Sequence, residues 1–351
     1  MKILLFSSAS SVHTIRWANA LASKVEKLIL VSQHDLIDGL SKNVVFYRLK
    51  YTGIKGYFLN AYEARKIIKV ERPDVVHAHY ASGYGALAKN CGYPYLLSVW
   101  GSDVYDFPNE GYIKKLILKR SLKGAIKLFS TSHCMKKETQ KYTNKPISVI
   151  PFGVNVSDYQ EPKTKSDMVS FGVVKVLDFK YGIDVLLDSF AIVSKKYPNN
   201  TRLVVAGDGP LKAELEAKAK KLGVGQYVDF MGWVNNREIP SLLASLDIFV
   251  VPSRLDSESF GVVAVEAGAA KLPCIVSNVG GLPEVVLDGK TGFVVPKEDV
   301  AALANKMLQL YENKALRVNM GLQAFANVSD KYVWSNNVDN MVANYREYTG
   351  V

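Results

Sequence analysis

Short apolar segments alternate with longer segments of helical periodicity along the whole chain. The short segments are rich in valine, isoleucine and leucine, as buried parallel strands are, and the longer ones repeat apolar residues every three or four positions. This alternation predicts a parallel sheet with helices on both faces. In the first half the predicted strands are Lys2–Phe6, Lys27–Val31, Val44–Arg48, Val75–Ala78, Tyr95–Val99, Lys127–Thr131 and Ile147–Ile150, and the predicted helices include Thr14–Ser23, Phe58–Val70 and Ile113–Leu122.

The alternation is interrupted near the middle of the chain and then resumes. The segment Pro151–Asn155 and the polar segment Tyr159–Asp167 together form the best candidate for a linker, because proline, glycine and charged residues are concentrated there. A second series of the same kind follows. Its predicted strands are Val169–Val174, Thr201–Ala206, Val228–Met231, Ile248–Pro252 and Pro273–Ser277, and its predicted helices are Ile183–Lys196, Leu211–Leu222, Ile239–Ser245 and Phe260–Ala270.

Two doubly wound α/β domains are therefore the expected architecture, with an N-terminal domain over residues 1–160 and a C-terminal domain over 161–333. Residues 334–351 hold a last helix with an apolar stripe, which we expect to pack back toward the N-terminal domain. Ligands of open α/β sheets bind beyond the carboxyl ends of the strands. A cleft between the two domains is thus the expected site.

The composition agrees with this architecture and indicates in which cellular compartment the protein is expected. The chain has 351 residues, of which 48% are hydrophobic and 22% charged, as in a folded protein with more than one core. Its three cysteines are scattered and indicate no disulfide framework. The first apolar run is too short for a signal peptide, and no run approaches the ~18 residues of a membrane span. We expect a cytoplasmic protein whose contact with the inner face of the membrane is peripheral.

Positive charge is concentrated in the first half of the chain. Residues 1–150 hold 23 basic against 10 acidic residues, a net charge of +13, whereas the whole chain carries +11. Such asymmetry indicates an anionic partner, whether lipid headgroups, a phosphorylated acceptor or nucleic acid, unless the lysines merely form a solvated face. The predicted helix Ile113–Leu122 mixes these charges with Ile113, Leu116 and Ile117 on one side. That apolar side either enters the core or rests on anionic lipid.

The most informative motif runs from Pro252 to Glu266, at a predicted strand-to-helix junction. Glu258 and Glu266 are eight residues apart, one in the loop and the other two turns along the helix. Carboxylates bind vicinal hydroxyls well, so the pair suits a sugar at one end and a ribose at the other. The alternative is an acidic residue at a helix N-terminus beside an unrelated surface glutamate.

This stretch, ESFGVVAVE, resembles the E-x7-E signature of the retaining family 4 glycosyltransferases, which have the GT-B fold. The strings FGVVKVLDFKYGIDVLLDSF, LVVAGDGP and VGGLPEVVLDGKTGFVVP resemble further segments of the family in the same order, so the resemblance covers nearly the whole chain. It implies that Glu258 contacts the transferred sugar and Glu266 the ribose. The other donor-binding positions that it implies are Gly172, Gly207, Ser259, Phe260, Gly261 and Val262.

The resemblance also assigns a basic pair. Lys175 and Lys180 keep the five-residue spacing of the cations that neutralise the diphosphate of the donor in this family. Lys175 stands where an arginine is usual, and Tyr181 separates Lys180 from Gly182. A lysine serves there as a point charge and not as a bidentate fork. The alternative for each is an exposed loop lysine.

Two histidines close a predicted strand of the first half. His77 and His79 lack a third ligand at a suitable spacing, so we reject a zinc site. They resemble the family's H-x-H motif, which implies that His79 reaches the donor sugar and that His77 is structural. The segment from Trp100 to Asp103 resembles a family loop that begins with histidine, so Asp103 is an acceptor-side candidate. His13, in a first loop that lacks the family's glycine pair, is another.

The expected function is retaining transfer of a sugar from a UDP- or GDP-sugar to a saccharide or lipid-linked acceptor, in surface polysaccharide biosynthesis. The chain has no Asp-x-Asp pair, so we expect neither a metal ion nor a cofactor. A dehydrogenase would need G-x-G-x-x-G after the first strand, where SSASSV stands. A nucleic-acid-binding protein would leave the glutamate pair without a purpose, so we expect no nucleic-acid partner. A basic GT-B-like membrane- or nucleic-acid-binding protein without transferase activity is the remaining alternative.

Overall fold

The computed structural model describes residues 1–162 and 168–350, which divide between two units. The N-terminal unit consists of Met1–Pro151 together with the residues from Ser335 onward, and the C-terminal unit is Phe152–Trp334. Residues 163–167, within the predicted linker, lie outside the described residues. Each unit is a parallel α/β sheet with its own apolar core.

The N-terminal unit contains seven parallel strands in the order β3-β2-β1-β4-β5-β6-β7. Strands β2 and β3 lie on one side of β1 and strands β4 to β7 on the other, so β1 and β4 are neighbours at the centre of the sheet. All their side chains except that of Lys2 are buried, which explains why apolar residues predominate in both strands. The strands are β1 (Lys2–Phe6), β2 (Lys27–Ser32), β3 (Val44–Arg48), β4 (Val75–His79), β5 (Leu96–Ser98), β6 (Leu128–Ser130) and β7 (Ile147–Val149).

Helices of the N-terminal unit differ from the predicted ones at one important place. The single predicted helix Phe58–Val70 is wrong: two helices meet at Asn60, whose side-chain amide pairs with both backbone groups of Tyr51. That local pairing is invisible to a periodicity argument. The helices are α1 (Val12–Ala22), α2 (Gly53–Leu59), α3 (Ala61–Glu71), α4 (Tyr84–Cys91), α5 (Ser102–Tyr105), α6 (Tyr112–Gly124) and α7 (His133–Thr139).

The C-terminal unit contains six parallel strands in the order β10-β9-β8-β11-β12-β13. Elements beyond the predicted ones are the edge strand β13 and helices α12, α13 and α14. The strands are β8 (Val169–Val174), β9 (Thr201–Ala206), β10 (Val228–Gly232), β11 (Ile248–Val251), β12 (Cys274–Ser277) and β13 (Gly292–Val295). The helices are α8 (Ile183–Lys196), α9 (Lys212–Lys221), α10 (Ile239–Ala244), α11 (Val262–Ala269), α12 (Leu282–Val285), α13 (Val300–Glu312) and α14 (Lys314–Lys331).

The last helix, α15 (Trp334–Thr349), carries its apolar stripe into the N-terminal unit. Val338, Met341, Val342 and Tyr345 are buried, and the Tyr345 hydroxyl meets His77 of β4. Burial of this stripe accounts for the periodicity that predicts the helix. Among the described residues, no helix is both long enough and apolar enough to cross a membrane.

Candidate active site

Three loops at the carboxyl edge of the C-terminal sheet, which follow β8, β9 and β11, hold most of the predicted donor residues. Gly207, after β9, has a φ of +141°, and a Cβ added there would lie 1.8 Å from the carbonyl oxygen of Lys175. Only glycine therefore lets the β9 loop pack on the backbone beside Lys175. Gly172 differs, because it lies inside β8 with Leu246 filling the space beside it, away from the strand end.

The helix after β11 begins later than predicted, at Val262 and not at Phe260. Gly261 adopts a left-handed φ of +85° as the N-cap, which ends the loop and turns the chain into α11. Ser259 and Phe260 consequently belong to the loop, where both are buried. Glu258 lies in the same loop, and Glu266 is the fifth residue of the helix.

Lys175 and Glu258 form a buried ion pair. The Lys175 Nζ atom lies 2.8 Å and 2.9 Å from the two carboxylate oxygens of Glu258, and only 13% and 7% of the two side chains are exposed. Charged groups this far from water are retained where they are paired. The contact joins residues 83 positions apart, and it brings together two groups that the sequence placed in separate motifs.

Lys180 lies next to this pair. Its Nζ atom donates to the carbonyl oxygen of Ser257 at 2.9 Å, in the residue before Glu258. The ring of Tyr181 faces both cations, with Lys175 Nζ at 4.8 Å and Lys180 Nζ at 5.5 Å from its centroid. Cations are attracted to the electron-rich face of an aromatic ring, so Tyr181 helps to hold the two like charges near one another.

Glu266 lies on α11, eight residues after Glu258 in the chain, and makes a contact of its own. The Tyr159 hydroxyl donates to its Oε1 atom at 3.1 Å. Tyr159 lies in the segment that follows β7, so the contact ties the start of the C-terminal unit to α11. The carboxylate of Glu266 accordingly has a fixed orientation, as a group that binds a diol requires.

The predicted histidines lie at the carboxyl end of β4, in the N-terminal unit. His79 is 2% exposed, and its Nδ1 atom lies 3.1 Å from the Ser7 hydroxyl, which in turn lies 2.7 Å from Thr14 Oγ1. Burial, and then the neighbouring His77, holds the pKa of His79 well below its usual value. His79 is thus a neutral hydrogen-bonding group near pH 7.

His77 is fully buried behind His79. Its Nδ1 atom lies 2.6 Å from the Tyr345 hydroxyl and its Nε2 atom 2.9 Å from Ser98 Oγ. Burial lowers the pKa of His77 to about 3, so the ring is neutral. The two histidine rings meet edge to face at a centroid distance of 4.8 Å. His77 therefore supports His79 from below.

Asp103 lies in the first turn of the short helix α5, in the segment that follows β5. Both carboxylate oxygens accept backbone N–H bonds, from Ala81 at 2.7 Å, Gly101 at 2.8 Å and Trp100 at 3.1 Å. Burial raises the pKa of the carboxyl despite those bonds. The side chain is fully buried and joins the loops that follow β4 and β5.

The ring of Trp100 covers His79, with centroids 4.4 Å apart. The ring of His13 also lies near Trp100, at a centroid distance of 6.4 Å and nearly perpendicular to it. His13 is half-buried at the start of α1, and its placement brings it into one aromatic group with Trp100 and His79.

Comparison with known proteins identifies the family to which the chain belongs. The model of the family "Glycosyl transferases group 1" matches residues 157–326, and that of the family "Glycosyl transferase 4-like" matches residues 2–132. A protein named an uncharacterised glycosyltransferase of Methanocaldococcus jannaschii is 32% identical over 84% of this chain and 82% of its own. The chain belongs to the group 1 glycosyltransferases.

Further relatives support the assignment. A Bacillus subtilis glycosyltransferase named for teichuronic acid biosynthesis, TuaC, is 27% identical over 79% of this chain and 73% of its own. The structure of HepE from Anabaena in complex with UDP and glucose superposes with a TM-score of 0.81, covering 98% and 99% of the two chains at 17% identity. That likeness concerns the fold, and it confirms the predicted GT-B architecture.

Several residues that contact the predicted site residues in each unit escaped the sequence predictions. Ser7 and Thr14 support His79, and Tyr345 supports His77, although no motif marks them. Tyr181 stands out in the sequence only as an interruption between Lys180 and Gly182. Arg254, inside the glutamate motif, is the only arginine of that loop, and this is the one signal that pointed to it.

Proposed function

We propose that this glycosyltransferase moves a sugar from a UDP- or GDP-sugar to its acceptor with retention of configuration and without a metal ion. The contact of Lys175 with both oxygens of Glu258, beside Lys180 and Tyr181, is the observation that supports this most directly. It combines a cation for a departing diphosphate with a carboxylate for sugar hydroxyls.

In the proposed reaction, Lys175 and Lys180 neutralise the diphosphate as the bond to the sugar breaks. Glu258 accepts hydrogen bonds from the sugar, Glu266 binds the ribose, and neutral His79 donates or accepts one further hydrogen bond. The acceptor attacks from the face that the diphosphate leaves, and a phosphate oxygen takes the acceptor's proton. His13, behind Trp100, is an acceptor-side candidate. Asp103 acts on that side by holding the loop, because both its oxygens are engaged by backbone groups.

The acceptor that we propose is a saccharide or a lipid-linked saccharide of surface polysaccharide biosynthesis, used at the inner face of the membrane. The net charge of +13 over residues 1–150 and the exposed apolar side chains of α6 support an anionic surface as the partner. The name of the relative TuaC refers to teichuronic acid biosynthesis, a pathway of the proposed class.

Incubation with a panel of UDP- and GDP-sugars tests the proposal. We expect slow hydrolysis of one or a few donors, detected as released nucleoside diphosphate, and an NMR signal showing that the first-formed free sugar keeps the donor's anomeric configuration. Protein with Glu258→Gln serves as the control for a contaminating hydrolase. Turnover of no nucleotide sugar, or an inverted product, would contradict the proposal.

A further inference from the structure

The loop that carries Glu258 contains a second charged group, Arg254, with no part in the reaction as proposed. Its side chain is only 8% exposed. Two guanidinium nitrogens bind the Asp184 carboxylate at 2.7 Å and 2.6 Å, and a third binds Glu298 at 2.9 Å. Planar, bidentate pairing of this kind is a geometry that arginine provides and lysine does not.

Arg254 also holds the segment that carries Lys180. Its Nη1 atom donates to the carbonyl oxygen of Phe179 at 3.0 Å, and its guanidinium carbon lies 4.6 Å from the centre of the Phe179 ring. Its backbone N–H donates to the carbonyl oxygen of Lys180 at 2.8 Å. The guanidinium therefore holds Phe179, the residue before Lys180, and the backbone N–H of Arg254 holds Lys180 itself.

A third loop meets the same group from the opposite side. Glu298 reaches Arg254 from a left-handed backbone conformation, φ +61°, which is unfavourable for a residue with a side chain. Lys297 Nζ lies 3.5 Å from the Arg254 carbonyl oxygen. Arg254 thus joins the loops that follow β8, β11 and β13 at the edge of the sheet where Lys180 and Glu258 lie.

The charges around Arg254 reinforce one another. Burial raises the pKa of Asp184, but hydrogen bonds from Arg254 outweigh it, and the net effect is a lowered pKa. The hydrogen bonds that Arg254 donates to Asp184 in turn raise the pKa of Arg254. Removing the guanidinium would leave two carboxylates beside the Lys180 loop without their cation, and the loop would have to move to rehydrate them.

We propose that Arg254 is a positioning residue for a nucleoside diphosphate: it sets where Lys180 lies relative to Glu258 and Lys175. This rests on the proposed function, in which both lysines face the diphosphate. A diphosphate needs both cations, whereas a monophosphate can be bound by one. Displacement of the Lys180 loop should therefore weaken binding of the diphosphate selectively.

Calorimetric titration of the full chain with UDP and UMP, and with GDP and GMP, tests this inference. For whichever base the wild type binds, we expect Arg254→Lys to raise the Kd of the diphosphate about 10-fold, or about 1.4 kcal/mol, and that of the monophosphate less than about 3-fold. Arg202→Met is the matched control, because Arg202 pairs with Asp229 at an exposed position on strands β9 and β10. Its affinities should equal those of the wild type.

Asp184→Asn provides a milder second variant should Arg254→Lys fold poorly. It keeps the side chain's shape but replaces the charge and one acceptor oxygen with a neutral NH2 donor, so the bidentate pairing with Arg254 is lost and the same selective loss is expected. The double variant should lose less than the two effects added. Equal weakening of diphosphate and monophosphate, or unchanged diphosphate binding in both variants, would overturn the role of Arg254. A wild type that binds neither diphosphate would instead overturn the proposed function, and the role of Arg254 with it.

Discussion

At the scale of single residues, the charge of Glu258 is the feature most open to a direct test. We expect Glu258→Gln to lower kcat at least about 100-fold, or about 2.7 kcal/mol, because a preorganised charged contact to the reacting sugar is lost. Steady-state kinetics with the accepted donor measures it. Glu214→Gln on α9 is the matched control, since that glutamate is exposed on the first turn of a surface helix. A variant as active as the wild type would remove Glu258 from the reaction.

Glu266 is expected to behave differently from Glu258. A contact to the ribose has the same strength in the ground state and in the transition state, so its loss weakens donor binding without slowing the chemical step. We expect Glu266→Gln to raise the KM of the donor while kcat changes little. A fall in kcat at saturating donor would instead place Glu266 at the reacting centre.

The buried histidines predict a dependence of stability on pH. Burial lowers the pKa of His77 to about 3, whereas an unfolded histidine has a pKa near 6.5, so the unfolded chain binds more protons in between. The contribution of His77 to stability is complete above pH 6.5 and is lost as pH falls toward 3. At pH 5 the loss is about 2 kcal/mol.

Urea unfolding at pH 7 and at pH 5 measures this effect. His77→Gln keeps polar atoms near Tyr345 and Ser98 but does not titrate, so its stability should fall by about 2 kcal/mol less between the two pH values than that of the wild type. The same fall in both proteins would show that His77 is not buried in its neutral form.

At the scale of elements, helix α6 exposes apolar side chains that its sequence pattern could have placed in the core. Leu118 and Leu122 face the core, whereas Ile113 is 73% and Leu116 42% exposed. The third residue of the predicted stripe, Ile117, is partly buried. The alternative in which the whole stripe of Ile113, Leu116 and Ile117 enters the core is therefore wrong. Exposed basic residues accompany the stripe, namely Lys115, Lys119, Arg120 and Lys123. This combination of basic and apolar side chains is typical of a helix that rests on a membrane surface.

Co-sedimentation with liposomes tests the membrane contact of α6. We expect binding that requires anionic lipid, fades as salt rises, and weakens when Lys114, Lys115, Lys119 and Arg120 become serine, at about 1 kcal/mol for each basic residue. The matched control removes the same charge from α9 by changing Lys212, Lys218, Lys220 and Lys221 to serine, and it should bind as the wild type does. Equal binding to neutral and anionic vesicles, or none to either, would leave the basic face as a solvated surface.

Elements were predictable from the sequence where one periodicity dominates. The buried strands β1 and β8 and the helix α8 occur with the predicted bounds, because a run of apolar residues or one apolar stripe has a single satisfactory arrangement. The break at Asn60 and the start of α11 at Val262 were not, because an amide pairing with Tyr51 and a left-handed Gly261 decide them. Both depend on contacts that no local pattern reports.

At the scale of the whole molecule, the proposed independence of a metal ion is the prediction that best separates the proposed mechanism from a metal-dependent one. In the proposed function lysine side chains neutralise the diphosphate, so we expect transferase activity to survive excess EDTA. Lys175→Ala combined with Lys180→Ala should abolish turnover even with Mg²⁺ or Mn²⁺ present, and Lys220→Ala with Lys221→Ala on α9 serves as the control. Complete loss on chelation, restored by either metal, would contradict the proposed site.

The sequence by itself determined the two parallel sheets and the placement of the site residues. Strand and helix periods are local properties, and the loop after each strand follows from the chain order, so Lys175 and Glu258 can be assigned to strand ends from the sequence alone. Only the tertiary structure decided which residues distant in the chain contact one another. Lys175 meets Glu258 across 83 residues, His77 meets Tyr345 across 268, and one guanidinium gathers three loops. Such pairs depend on how strands order themselves in a sheet and on which face each helix buries. Several strand orders and several buried helix faces satisfy the same local sequence pattern. Only the packing of the whole chain selects one of them.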